Sequence, residues 1–145
     1  MRLERAACID DLRAIARRRI PRFAFDLVDG GAEGERNLRR NTQAFEEIVL
    51  APRYMRDVSR IDTTVTLFGQ TFKAPFGMAP IGVLNAFWPG ADLILARLCK
   101  QTNIPYTASS AASTSLEALA EAADGNGWFQ LYVSSNDDVT EGLVR

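Results

Sequence analysis

A chain of 145 residues that is 47% hydrophobic and 24% charged belongs to the globular class and is long enough to bury one ordinary core. Its net charge of -1 gives no electrostatic reason to expect a nucleic-acid partner, and the basic run Arg17, Arg18, Arg19 reads as a solvated helix face. No apolar run approaches the roughly 20 residues of a membrane span, no signal-peptide core opens the chain, and there is no histidine, the side chain most used as a general base near neutral pH.

Residues 1–73 are irregular in pattern. Asp10 is placed to cap a helix whose apolar positions Leu12, Ile15, Ala16 and Ile20 recur at helical spacing, with Ile9 as its staple; Cys8, beside it, and the distant Cys99 show no metal or disulfide spacing, so a reducing cytoplasm is expected. Pro21 ends that helix and opens another, which Gly30 and Gly31 close. A third helix is expected over Glu33 to Phe45. The alternation in "TTVTLFGQTFK" then predicts a β-hairpin turning at Phe68-Gly69-Gln70. This half reads as helices and a hairpin forming a small lid.

Residues 74–145 are regular. "PFGMAPIG" is a strand candidate, "ADLILARLCK" a helix, "IPYTASSA" a strand, and "TSLEALAEAA" a helix with capping-box spacing from Thr114 to Glu117; "WFQLYV" is a third strand and "DDVTEGLVR" opens a further helix. Strands alternating with helices of about 10 residues predict a parallel sheet. The chain reaches Arg145 within a helical pattern that has no exit signal, and a complete (β/α)8 barrel needs roughly 250 residues, so it reads as the N-terminal part of a longer protein.

In parallel α/β folds ligands gather where strands end and βα loops begin. The strand candidates here end in Ala79-Pro80-Ile81-Gly82, in Ser109 and Ser110, and in Gln130 and Tyr132. Each set has a plain structural reading: Gln130 and Tyr132 can satisfy each other, and the serines can cap the next turn. Their coincidence at one level of one sheet favours a ligand. Phe129, Leu131 and Val133 are then expected to face the helices, with Gln130 and Tyr132 on the other face.

These residues also carry a family resemblance. "DGGAEGERNLRRNTQAF", "RYMRDVSRIDTTVTLFGQTFKAPFGMAPIG", "LNAFWPGADLILARL" and "WFQLYV" resemble, in order and over nearly the whole chain, the FMN-dependent α-hydroxy-acid oxidases and dehydrogenases, most closely the (S)-mandelate dehydrogenase branch. The resemblance implies an α/β fold: the N-terminal part of a TIM barrel, with helices and a β-hairpin before its first strand. It implies oxidation of a 2-hydroxy acid to the 2-keto acid with reduction of FMN. On that resemblance Pro80, Ile81 and Gly82 lie against the flavin, Ser109 and Gln130 bond it, and Tyr132 faces the substrate. It further implies a homo-oligomer, a tetramer when complete, with an unassigned electron acceptor; the mandelate branch admits peripheral membrane association through a later insert.

Two positions depart from the pattern. Leu27 replaces a tyrosine that binds the substrate carboxylate, which removes a donor, and Ala111 replaces the tryptophan of a small-substrate oxidase, which leaves room for a bulky or aromatic acid. The family's catalytic histidine and arginine come from later strands and have no counterpart here, so the 145 residues alone are expected to be inactive. The rival readings are a noncatalytic remnant or interaction module, and an FMN barrel acting on another substrate.

Overall fold

The computed structural model describes residues 3–144, which form two compact units, Met1–Ile61 and Asp62–Arg145. The first holds a short 3-10 turn and three helices, α1 (Ile9–Arg19), α2 (Arg22–Asp29) and α3 (Arg36–Glu46). Extended Cys8, not Asp10, occupies the N-cap of α1, so Asp10 and Asp11 both lie in the first turn, where carboxylates favour the helix dipole. Asp11 Oδ2 accepts the Ala7 N–H at 2.9 Å, and Ile9 is 78% exposed, so no apolar staple closes this end. Pro21 and Gly30 bound α2 as expected. Its carboxy end is tied back to α1 by a bidentate pair, Arg13 Nε to Asp29 Oδ1 at 2.5 Å and Nη2 to Oδ2 at 2.8 Å, and these hydrogen bonds hold the Asp29 carboxyl below its ordinary range. The third helix starts later than expected because Glu33 and Glu35 take left-handed φ of 49° and 57°, which no helix turn accommodates.

The second unit opens with the predicted hairpin. Strands β1 (Val65–Leu67) and β2 (Gln70–Phe72) pair antiparallel in the register Val65↔Phe72, and Phe68 and Gly69 turn between them, both at positive φ. The α/β part follows: α4 (Leu84–Phe87), α5 (Ala91–Thr102), β3 (Tyr106–Ala108), α6 (Leu116–Ala123), β4 (Gly127–Phe129) and α7 (Asp137–Val144). Strands β3 and β4 are parallel, pairing Tyr106 with Gly127, Thr107 with Trp128 and Ala108 with Phe129. Helices α5 and α6 cover one face of this pair. Ala96, Cys99, Tyr106, Ala108, Leu119 and Ala123 are buried there, with Met78, Ile104 and Phe129 packed against them. The alanines and Cys99 keep the helices close to the sheet. Burial, reinforced by Asp92 and Cys99, pushes the Tyr106 phenol up to about 12.

Three expectations need correction. "PFGMAPIG" supplies no full strand, only a parallel bridge from Met78 to Tyr106, in which Met78 N–H donates to Pro105 O at 2.8 Å and Thr107 N–H to Met78 O at 3.2 Å. The flanking prolines 75 and 80 have no N–H to extend it. The strand expected in "WFQLYV" ends at Phe129, and Val133 is 76% exposed instead of facing the helices. Ser115, not Thr114, caps α6 through its Oγ and the Ala118 N–H.

A fourth correction bears on function. The hairpin is not a lid over the strand ends that carry the candidate residues. Gln70 Nε2 donates to Asn126 Oδ1 at 2.8 Å, Asn103 Nδ2 to Thr71 O at 3.2 Å, and Lys73 N–H to Asn103 O at 2.9 Å. Asn103 and Asn126 precede β3 and β4, so these bonds tie the hairpin to the N-terminal ends of the parallel strands. Trp128 meets Phe68 and Phe72 edge to face, at centroid distances of 5.7 and 6.0 Å. The hairpin thus closes the opposite end of the sheet and belongs to the second unit.

The Met78 bridge depends on Gly77. A Cβ there would sit 2.7 Å from Pro105 O and 2.9 Å from Pro105 Cβ, and the backbone carbonyl cannot swing aside without breaking the bridge. Gly77→Ala is therefore expected to destabilise the protein by about 1–3 kcal/mol, the usual cost of forcing atoms into a filled site. A urea midpoint unchanged at constant m would refute it.

Candidate functional site

Side-chain alternation sorts the parallel strands into two faces. Tyr106, Ala108 and Phe129 pack toward α5 and α6, so Thr107 and Trp128 take the other face. One step beyond each strand, the same alternation carries Ser109 and Gln130 to that face. Their side chains meet: Ser109 Oγ lies 3.3 Å from Gln130 Oε1 and accepts the Ala111 N–H at 3.1 Å, while Ser109 is only 4% exposed. A last sheet-like bond, Gln130 N–H to Ala108 O at 2.9 Å, fixes the glutamine's backbone.

The loop after Met78 reaches the same place. Val83 N–H donates to Ala111 O at 2.9 Å, and a Cβ built on Gly82 would lie 3.1 Å from Ala111 Cβ and 3.8 Å from Ser109 Oγ. Gly82, Ser109, Ala111 and Gln130 are therefore neighbours, gathered from three loops at the C-terminal ends of the strands. Pro80 and Ile81 lie in the chain leading to Gly82, the first half-buried and the second 41% exposed. Tyr132 is attached to the cluster through its backbone, whose N–H donates to Ser110 Oγ at 3.0 Å; its side chain is 59% exposed. Leu27 is in the first unit, on α2, and 72% exposed.

The donor set suits a flat heteroaromatic ligand with carbonyl and N–H edges. Gln130 Oε1 is engaged by Ser109, whereas Nε2 has no partner among the described residues and is free to donate outward. Gly82 has no side chain to hold such a ligand away from the backbone of residues 80–82. FMN is a ligand of this kind, with carbonyl and N–H groups along one edge of a flat ring.

Two polar groupings escaped the sequence reading. Asn126 is 6% exposed; besides accepting from Gln70, its Nδ2 lies 3.3 Å from Ile104 O and from Asn103 Oδ1, and 3.4 Å from Cys99 O. Within "DGNG" it reads only as a turn residue. Asn85 Nδ2 donates to Thr114 Oγ1 at 3.0 Å, which donates to Asp92 Oδ2 at 3.2 Å, joining α4 and the first turn of α5 to the loop before α6. Asp92 is 1% exposed, yet its place in a helix first turn makes it look like an ordinary surface carboxylate. No sequence spacing marks either set.

Residues 16–145 match the model of the FMN-dependent dehydrogenase family. The chain is 38% identical over 138 residues to L-lactate oxidase of Lysinibacillus sphaericus, covering 94% of this chain and 36% of that protein. A soluble mutant of the membrane-associated (S)-mandelate dehydrogenase from Pseudomonas putida superposes with a TM-score of 0.86 at 35% identity, over 94% of this chain and 39% of the other. A mandelate oxidase structure superposes at 0.89 with 32% identity, over 96% and 40%. The chain thus spans little more than a third of the length of such relatives. The family-model match over most of its length, on a parallel α/β scaffold, makes this chain a member of the FMN-dependent dehydrogenase family, whose cofactor is FMN.

Proposed function

We propose that these residues form the N-terminal part of an FMN-dependent enzyme that oxidises a 2-hydroxy acid to a 2-keto acid, with preference for a bulky or aromatic substrate. The observation that carries this reading is the Ser109–Gln130 contact, which holds the glutamine in place while leaving Nε2 without a partner among the described residues, with Gly82 approaching the same Ser109. FMN, when bound, supplies the acceptor for the two electrons of the oxidation. Gln130 and Ser109 orient the flavin edge, the backbone of Pro80, Ile81 and Gly82 supports the ring, and Tyr132 presents its phenol to the substrate. Ala111 keeps the side chain above that ring small. The proton-accepting base and the carboxylate-binding arginine come from segments beyond these residues. No helix among the described residues is long and apolar enough to cross a membrane.

Gln130→Leu tests the reading in the complete protein. Leucine keeps the bulk and removes the amide, so polar atoms of the bound flavin lose their partner at a cost of about 1–3 kcal/mol. FMN affinity or flavin redox potential is expected to shift by the corresponding amount. An unchanged flavin spectrum, potential and affinity would leave Gln130 a purely structural residue.

A further inference from the structure

The parallel ladder between β3 and β4 ends in an unusual way. After Gln130 N–H donates to Ala108 O, regular parallel pairing would continue with residue 110 donating its backbone N–H to Gln130 O and accepting the Tyr132 N–H on its carbonyl. The backbone has left the sheet by then: Ala112 N–H bonds Ser109 O, which turns the chain toward α6. The Ser110 hydroxyl takes over both roles. Its Oγ donates to Gln130 O and accepts the Tyr132 N–H at 3.0 Å. A hydroxyl is suited to this because it donates and accepts through one atom, as a backbone rung does through two.

We infer that Ser110 is a positioning residue: a side-chain rung that extends the sheet by one step and sets the backbone of Gln130 to Tyr132. The inference rests on the function proposed above, since it is there that Gln130 faces the flavin and Tyr132 the substrate. Without the rung, the segment after Gln130 has no backbone bond to β3, because β4 itself ends at Phe129. Ser110 touches neither ligand in this assignment and acts through the two residues it holds. Threonine can make the same pair of bonds, and alanine can make neither.

The test compares the complete FMN-loaded protein with its Ser110→Ala and Ser110→Thr variants. In Ser110→Ala, amide hydrogen exchange at Tyr132, followed by NMR, is expected to accelerate by about threefold to tenfold. The lower end is the nearer expectation, because Ser110 is solvent-facing and water competes for both bonds. The FMN dissociation constant should rise by a similar factor, and KM for the 2-hydroxy acid should rise more than kcat falls. Ser110→Thr should restore all of these. Normal exchange at Tyr132 in Ser110→Ala, with FMN affinity and KM also unchanged, would overturn the inference. If the unaltered protein neither binds FMN nor turns over a 2-hydroxy acid, the functional reading falls instead, while exchange at Tyr132 still decides whether Ser110 holds that backbone.

Discussion

Asn126→Leu is expected to cost the protein about 2–4 kcal/mol of folding free energy, more than the loss expected for Gly77→Ala. The side chain is nearly isosteric, so little volume is lost. What disappears is the acceptor of the Gln70 amide and the donor lying among Cys99 O, Ile104 O and Asn103 Oδ1. These groups sit at the base of the sheet, where Asn126 is 6% exposed and water cannot readily replace it. A buried polar group left without a partner forfeits its hydration, which costs more than the lost hydrogen bond itself. The hairpin should loosen as well, since Gln70 is one of its few polar ties to the parallel strands. The measurement is urea unfolding of the complete protein, with Gln70→Leu and the double variant completing a cycle. Gln70→Leu should lose less, and the double variant should lose less than the sum. A loss below about 0.5 kcal/mol for Asn126→Leu would show that the hub carries no stability.

The second large effect concerns the substrate. In the complete enzyme, kcat/KM for mandelate is expected to exceed that for glycolate by at least about tenfold, which corresponds to roughly 1.4 kcal/mol of differential transition-state stabilisation. The expectation rests on Ala111. A Cβ on Gly82 would lie 3.1 Å from the Ala111 Cβ, so residue 111 abuts the loop proposed to support the flavin, and alanine is a far smaller side chain there than tryptophan. Apolar burial of a phenyl ring there favours the larger acid. Ala111→Trp should fill the volume and erase or reverse the preference. Paired kcat/KM values with an artificial electron acceptor decide it. Equal or better turnover of glycolate by the unaltered protein, with no response to Ala111→Trp, would refute the pocket argument while leaving the family membership untouched.

Much of the local structure was legible in the residues themselves. Pro21 and Gly30 bound α2, the alternation around Phe68-Gly69 produces the hairpin, and the apolar spacing of residues 91–102 and 116–123 produces α5 and α6. These are short-range effects, set by φ restriction and by side-chain period, and a sequence displays them directly. Part of the candidate grouping was legible too: Ser109 and Gln130 stand out at successive strand ends, and the structure brings their side chains to 3.3 Å.

What the sequence did not show depends on partners far along the chain. The hairpin has the same turn chemistry whichever end of the sheet it closes; Gln70 and Thr71 reach Asn126 and Asn103 only after α5 and α6 have folded back, and that decides the end. The strand in "PFGMAPIG" shrinks to one bridge because neither Pro80 nor Pro105, just before the strand it meets, has an N–H to extend the ladder beyond Met78. Burial of Asn126 and Asp92 is likewise a property of the packed layers. Propensity and periodicity determine which segments become helices or strands, but the satisfaction of buried polar groups is a three-dimensional constraint, and only tertiary structure chooses which carbonyl, amide or hydroxyl meets it.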